Sequence, residues 1–581
     1  MAEPAAPADQ DLESIRDARN QTRRAKTAQA TLGELSQERI DSIVTAAAEA
    51  AAQQAKPFAK LAVEETGYGN EPDKVRKNLF AAETIYQFIL PMPTVGVIRR
   101  LDADRVVEIA EPFGVVAAVI PSTNPTSTAI YKILICLKAR CAIVLSPHPS
   151  AVGCINRVAE VMSKAAISAG APEGAINCMT SVTIEGTQEL MGQREIALVL
   201  ATGGLGLVRA AYSSGKPAYG VGPGNAPAFV ERTADLPKAV TDIITGKTFD
   251  NGVLCSSENS VVADEAISGE LQREFERQGG YFLNDREVRL LESELVTSGG
   301  LPNPKLVGKT ALEIASHTGI EVPGDTRVII APLEGVGREY PLSIEKLCPV
   351  LSFYVVADWR AGCERCTEIL RYGGMGHTMS IHSQNEQIIL EFGLRKPAFR
   401  IVVNTPTTLG SIGMTTGLAP SMTLGCGGYG GNITSDNLTP QHLLNIKRLA
   451  YETRSSIQVP SPNPNTSDRP PNQEAQPHVR EPGIDQALLA RRVDSFLRSK
   501  GVKAKHLTET AAEPSEDIQP SASEPADDPN AEPVAFVCED DVRKAVAANQ
   551  TIVVSARTII TPSAQDLGKQ HRIFIEAELP R

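Results

Sequence analysis

The chain has 581 residues, 42% apolar and 22% charged, and a formal net charge of −12. Such a length sets an expectation of roughly three or four domains with sizeable cores. The acidic balance argues against a nucleic-acid partner. No apolar run approaches the ~18 residues of a membrane span, and the polar N-terminus has no signal-peptide core. Ten cysteines, at 136, 141, 154, 178, 255, 348, 363, 366, 426 and 538, are scattered without the spacing of a disulfide framework. Reduced thiols and a cytoplasmic location are expected.

In chain order, residues 11–31 read as a charged helix and 35–65 as an Ala-rich one. A further helix is expected over 72–89, with Val75, Leu79, Ala82, Ile85 and Phe88 on its apolar side. The character changes at Pro112. The run 112–121 is short and almost wholly apolar, the pattern of a parallel strand buried on both faces. A helix over 126–138, a strand at 141–145 and a helix at 150–169 follow. Strands near 175–179 and 196–200, with a helix at 184–192 between them, complete an alternating pattern. That alternation implies a parallel α/β sheet with right-handed crossovers.

Thr202-Gly203-Gly204-Leu205-Gly206 then sits between a strand and a helix over 207–213. Glycines at such a turn let a phosphate approach the backbone at a helix N-terminus, although a tight turn alone also explains them. Residues 216–230 form a second Gly/Pro-rich crossing into a strand. A helix over 236–248 runs into Asn251-Gly252, then Cys255, then a strand at 260–263. Strands at 327–331, 350–356, 378–382 and 399–403 and a helix at 360–371 suggest a second α/β domain.

Composition breaks near 458. Residues 460–482 hold seven prolines and almost nothing apolar, and 509–533 hold eight acids, five prolines and no Lys or Arg. Both read as disordered linkers. Between them, 484–500 has an amphipathic helical pattern (Ile484, Leu488, Leu489, Val493, Phe496, Leu497). A compact module of helix, strand, turn, helical turn and strand is expected over about 535–578. At fewer than about 50 residues it is marginal alone.

Cys255 is the leading candidate for chemistry, because a loop thiol on a rigid scaffold is a nucleophile for carbonyl carbon. A buried small hydrophobe is the competing reading. Asn124, in Ser122-Thr123-Asn124-Pro125, lies at the carboxyl end of a buried strand. It forms an Asn-Pro turn, or donates its amide to a developing oxyanion. His148, Glu345 and His377 fit turn or structural roles on spacing alone. Cys363 and Cys366 make a single C-x-x-C with no second pair or histidine, so no metal is expected.

Together these segments resemble the CoA-acylating branch of the aldehyde dehydrogenase superfamily, as in the aldehyde dehydrogenase half of bifunctional aldehyde-alcohol dehydrogenases. The resemblance is carried by EPFGVVAAVIPSTNPTSTAIYK (111–132), AIVLSPHPSA (142–151), ATGGLGLVRAAYSSGKPAYGVGPGNAPAFV (201–230) and TFDNGVLCSSENSVV (248–262). EKLCPVLSFY (345–354), GGMGHT (373–378) and two segments over 404–432 extend it. It implies an α/β fold with a Rossmann-like cofactor domain and a catalytic domain, both parallel. The boundaries expected are 1–235 for the N-terminal helices and NAD-binding domain, 236–435 for the catalytic domain and 436–457 for a return arm. A linker (458–483), amphipathic helix (484–502), acidic linker (503–534) and C-terminal module (535–581) follow.

The resemblance also implies roles. Cys255 is the nucleophile, and Asn124 with the Cys255 backbone N–H is the oxyanion hole. Thr202, Gly203 and Gly204 pack on the NAD pyrophosphate, Ser146 and His148 lie near the adenosine, and Glu345 holds the nicotinamide ribose. His377 assists CoA deprotonation or placement. NADP is an alternative to NAD. Hydrolytic members carry a Glu-Leu-Gly-Gly motif whose glutamate activates water. Gly220-Val221-Gly222-Pro223-Gly224-Asn225 stands there instead, so acyl transfer from Cys255 to CoA is expected. The substrate expected is a short-chain aldehyde, and the assembly a homodimer or homotetramer. The tail resembles an encapsulation peptide and terminal module of bacterial microcompartment enzymes, with a shell protein as the implied partner. Two rivals stand beside this reading, a non-acylating dehydrogenase releasing free acid and a mainly structural cargo protein.

Overall fold

The chain divides into two units, Met1–Pro460 and Ser461–Arg581. In the computed structural model, residues 7–454 of the first and most of 534–576 of the second are described. The first unit opens with helices Pro7–Leu32, Gln37–Gln53, Ala55–Thr66 and Glu71–Leu79. The Ala-rich segment is thus two helices, not one, because Gln54 closes the first and opens the second. The expected helix over 72–89 is interrupted by a wider π turn at Phe80–Ile85.

Strands are numbered along the chain. A small antiparallel sheet has the order β1 (Gly96–Leu101), β2 (Val106–Pro112) and β15 (Leu444–Ala450). The central sheet of the cofactor-type half is built from β3 (Val115–Ile120), β4 (Ile143–Pro147), β5 (Ile176–Cys178), β6 (Ile196–Thr202) and β7 (Ala218–Val221). Its order is β5-β4-β3-β6-β7, and every pairing is parallel. All six residues of β3 are buried, as a strand covered on both faces requires. One cover is the helix Pro125–Lys138, every residue of which is buried, including Lys132. Its ammonium donates to Val119 O at 2.9 Å and Leu200 O at 3.0 Å. It therefore staples the carboxyl ends of β3 and β6. Chain order reverses between those two strands, so a crevice opens there, where open α/β sheets hold ligands.

The chain leaves this sheet at Val221 and enters another at Ala226. The second sheet comprises β8 (Ala226–Val230), β9 (Glu258–Asp264), β10 (Gly280–Phe282), β11 (Val328–Pro332), β12 (Val350–Val356), β13 (Gly376–His382) and β14 (Ala398–Val403). The order is β10-β11-β12-β9-β8-β13-β14, again all parallel. Four residues, 222–225, therefore cross between the sheets.

In the second unit, helices Glu539–Ala547 and Pro562–His571 accompany short parallel strand pairs. These are β16 (Phe536–Val537) with β18 (Ile559–Ile560), and β17 (Ile552–Val554) with β19 (Phe574–Glu576). The helical turn expected before the last strand is a ten-residue helix, Pro562–His571. The amphipathic segment 484–500 and both linkers lie outside the described residues.

Candidate active site

The loop that carries Cys255 is pinned before the cysteine is reached. Helix Leu236–Thr248 ends in a tight turn, Phe249–Gly252, whose Asp250 (φ 48°) and Asn251 (φ 53°) are left-handed. Asp and Asn tolerate that conformation better than most side chains. The buried Asp250 carboxylate accepts the Asn70 N–H at 2.8 Å and Lys74 Nζ at 3.0 Å, and also Lys77 Nζ. Its own N–H donates to Asp73 Oδ2 at 2.8 Å. Asn251 Nδ2 donates to Gly308 O at 2.9 Å. Beyond the turn, Cys255 is half-buried, while the eight other described cysteines are buried. Its carbonyl lies against Gly224, where a side chain would collide with it.

Cys255 opens onto a cavity of about 730 Å³ at the crevice between β3 and β6. Asn124 lines it just after β3, and Thr202, Gly203 and Gly204 line it just after β6. Gly204 caps helix Leu205–Ser213, whose first N–H groups lack side-chain partners. Thr202 Oγ1 is buried without a hydrogen-bond partner. Glu345 also lines the cavity and accepts the Gly224 N–H at 3.0 Å. His148 stands at the exposed rim, its Nδ1 accepting the Ser150 N–H at 3.2 Å. The remaining lining is largely apolar, from Val119, Val182, Met191, Leu207, Met422 and Leu424 among others.

Two of the expected residues stand back from this cavity. Ser146 is fully buried and bonds Thr187 Oγ1 at 2.9 Å, and it is Thr187 that faces the cavity. His377 is buried on β13, next to Gly224, with Nδ1 2.9 Å from Thr378 Oγ1 and Nε2 unpartnered.

Burial dominates the electrostatics. It pushes the Cys255 thiol up to about 12, helped by the neighbouring Glu345 and Cys426 and opposed by Arg400. It pushes Glu345 up to about 8, against the pull of the Gly224 N–H and of Lys247 and Lys346. His377 is driven down to about 3 by burial and the Arg400 charge, so its imidazole is neutral. At neutral pH the resting site therefore holds a thiol, a protonated carboxyl and a neutral imidazole. Buried Arg400 braces the surroundings, donating to His377 O at 2.8 Å and Ser435 O at 2.9 Å.

Sequence reasoning missed Lys77, whose Nζ donates to Asn124 Oδ1. It also missed Thr187 and the part played by Asp250. The apolar pattern assigned to 72–89 had placed Val75, Leu79 and Phe88 inward. Instead Lys74, Lys77 and Asn78 are the buried residues of helix Glu71–Leu79, and Phe88 is 37% exposed. The pair of lysines three apart was the available signal, but such pairs usually mark a solvated face.

The model of the aldehyde dehydrogenase family matches residues 8–278. The bifunctional aldehyde-alcohol dehydrogenase of Escherichia coli (strain K12) is 39% identical over 507 residues, which cover 84% of this chain and 57% of that protein. The chain thus spans little more than half the length of that relative. An acetylating aldehyde dehydrogenase from Geobacillus thermoglucosidasius is 50% identical. It superposes with a TM-score of 0.75 over 77% of this chain and 98% of its own. A propionaldehyde dehydrogenase from the Clostridium phytofermentans fucose utilisation bacterial microcompartment is 29% identical, with a TM-score of 0.68 over 76% and 98% of the two chains. With two parallel sheets meeting at a cysteine-bearing cavity, and relatives matched over nearly their whole length, the chain belongs to the aldehyde dehydrogenase family.

Proposed function

We propose that the chain is a CoA-acylating aldehyde dehydrogenase that uses NAD and a short-chain aldehyde. The observation that carries this reading is the acid inventory of the cavity. Among the described residues Glu345 is the one carboxyl that lines it, and it is engaged by the Gly224 N–H. The segment 220–227, where hydrolytic relatives would present a glutamate, brings no acid. A thioester on Cys255 then lacks a base for water, whereas a thiol nucleophile needs less activation.

The residues present fit a dinucleotide. The unpartnered Thr202 hydroxyl, the glycines before helix Leu205–Ser213 and the largely apolar walls are what a pyrophosphate and two ring systems require. Thr202, Gly203 and Gly204 would hold the pyrophosphate, His148 and Thr187 the adenosine side, and Glu345 the nicotinamide ribose. When bound, NAD supplies the hydride acceptor. No Lys or Arg lines the cavity among the described residues, which favours NAD over NADP, whose 2′-phosphate calls for a cation.

Cys255 Sγ gives up its proton to water and adds to the aldehyde carbon, and the Asn124 amide with the Cys255 backbone N–H stabilises the oxyanion. Collapse of that oxyanion expels hydride and leaves an acyl thioester on Cys255. The CoA sulfur attacks the thioester carbon as its thiol proton is lost, a second oxyanion forms in the same place, and Cys255 leaves and takes up a proton to restore the resting thiol as the acyl-CoA departs. Neutral His377 acts from behind Gly224, packing against the stretch of backbone past which the CoA thiol approaches. The decisive experiment is NADH formation with and without CoA. Sustained turnover is expected only with CoA, and one equivalent of NADH per active chain without it. Equally fast turnover without CoA refutes the reading.

We further propose that the tail directs the enzyme into a bacterial microcompartment, with the amphipathic 484–500 segment binding a shell protein. Its apolar stripe between polar linkers supports this. Deleting 458–581 should leave kcat unchanged and abolish co-purification with shells. Unchanged co-purification sinks the targeting role.

A further inference from the structure

Behind Asn124 lies a buried charge cluster that none of the steps above uses. Lys74, Lys77 and Asp250 are each at most 1% exposed. None of the three lines the cavity. Both ammonium groups converge on Asp250 Oδ2, Lys74 at 3.0 Å and Lys77 in close contact. Lys74 Nζ also donates to Thr123 O at 3.3 Å, and Lys77 Nζ to Asn124 Oδ1 at 2.5 Å. Two cations thus share one fully buried carboxylate. The half-buried Asp73 adjoins it through the Asp250 N–H.

An ammonium offers only hydrogens. The end of the Asn124 amide that meets Lys77 is therefore its oxygen. The nitrogen is turned the other way, where Thr123 Oγ1 takes one of its two hydrogens at 3.2 Å. The second hydrogen is left for an oxygen in the cavity that Asn124 lines. A cation on the carbonyl end also polarises the amide and makes its N–H a better donor. Asp250 in turn belongs to the turn five residues before Cys255, so one carboxylate ties the donor's support to the nucleophile's loop. Burial pushes Lys77 down to about 8, with Asp250 holding it up, so the contact with Asp250 is what keeps this amine a cation at neutral pH.

We infer that Lys77 is a positioning residue for the oxyanion donor. It fixes the Asn124 amide with its nitrogen toward the cavity, and Asp250 locks Lys77 to the Cys255 loop. The inference rests on the oxyanion role proposed for Asn124.

A double-mutant cycle in the full-length chain tests it. The readout is the first turnover, NADH formed after rapid mixing with NAD and propionaldehyde without CoA. Asn124→Ala should slow this step by ~10²–10³-fold, the usual loss for one oxyanion donor. Lys77→Met should slow it by at least tenfold in the wild-type background and less than twofold in the Asn124→Ala background. Equal slowing in both backgrounds, or none in either, overturns the inference. Thermal melting reports whether each variant folds. If Lys77→Met does not fold, Lys77→Gln, which keeps an N–H donor in a shorter side chain, enters the same cycle with the same criteria. An undiminished first turnover in Asn124→Ala would instead overturn the oxyanion role itself. Because CoA is absent throughout, the outcome is separate from the test of acyl transfer.

Discussion

Alanine at position 224 sets one methyl group against the reacting loop. A Cβ built on Gly224 lies 2.1 Å from the Cys255 carbonyl oxygen and 3.3 Å from His377 Cγ. Ordinary carbon–oxygen contacts begin at about 3.3 Å, so the Cys255 backbone or the crossing at 222–225 must move by about 1 Å. The obstruction is backbone on one side and a buried ring on the other, and neither yields as the tip of an exposed chain does. A misplacement of that size costs on the order of 10²-fold in rate, and overpacking costs about 1–3 kcal/mol of stability. Steady-state kcat and thermal unfolding of Gly224→Ala measure the two effects. Gly393→Ala is the control, since a Cβ at that helical glycine meets nothing within 4 Å and should leave both quantities near wild type. A folded Gly224→Ala enzyme turning over within threefold of wild type would refute the steric argument.

Other outcomes follow from the buried charges. Glu345 binds its proton up to about pH 8 when folded and near 4.5 when unfolded, so native protein holds more protons across that window and stability falls as pH rises through it. Glu345→Gln should therefore gain in Tm relative to wild type between pH 5 and pH 8, and a constant difference would contradict the raised carboxyl. Above about pH 8, where the Glu345 carboxyl is ionised and pushes the Cys255 thiol up, the same variant should let iodoacetamide alkylate Cys255 faster than wild type. Lys132→Met strands the carbonyls of Val119 and Leu200 at the crevice and should cost about 1–3 kcal/mol in denaturant unfolding, with a higher KM for NAD. Cys255→Ser should abolish NADH formation while leaving Tm within about 2 °C, since an isosteric change at a half-buried loop position disturbs little packing.

The parallel sheets were legible because β3 and β4 are apolar runs bounded by turn residues, and such runs have few alternatives once helices alternate with them. The loop of Cys255 was legible for the same reason, framed by a periodic helix and an apolar strand. The small sheet was not, because β2 meets β15 more than 330 residues later, in the pair Lys447–Glu111 among others, and neither strand is strongly patterned alone. Lys77 was hidden more thoroughly. Its partners Asn124 and Asp250 lie 47 and 173 residues away, and nothing local distinguishes a lysine that folds inward from one that faces water. The sheet crossing at 222–225 was visible only as a Gly/Pro cluster. That the cluster separates two sheets depends on which neighbour each flanking strand finds.

The distribution of sulfur carries a last consequence. Aldehydes add reversibly to any accessible thiol, so under the proposed function the enzyme would be exposed to its own substrate as a poison. Of the nine described cysteines, eight are buried, and Cys255 alone is half-open. The fold thereby rations access, so that across residues 7–454 an incoming carbonyl would meet one thiol, at the place where the adduct is productive.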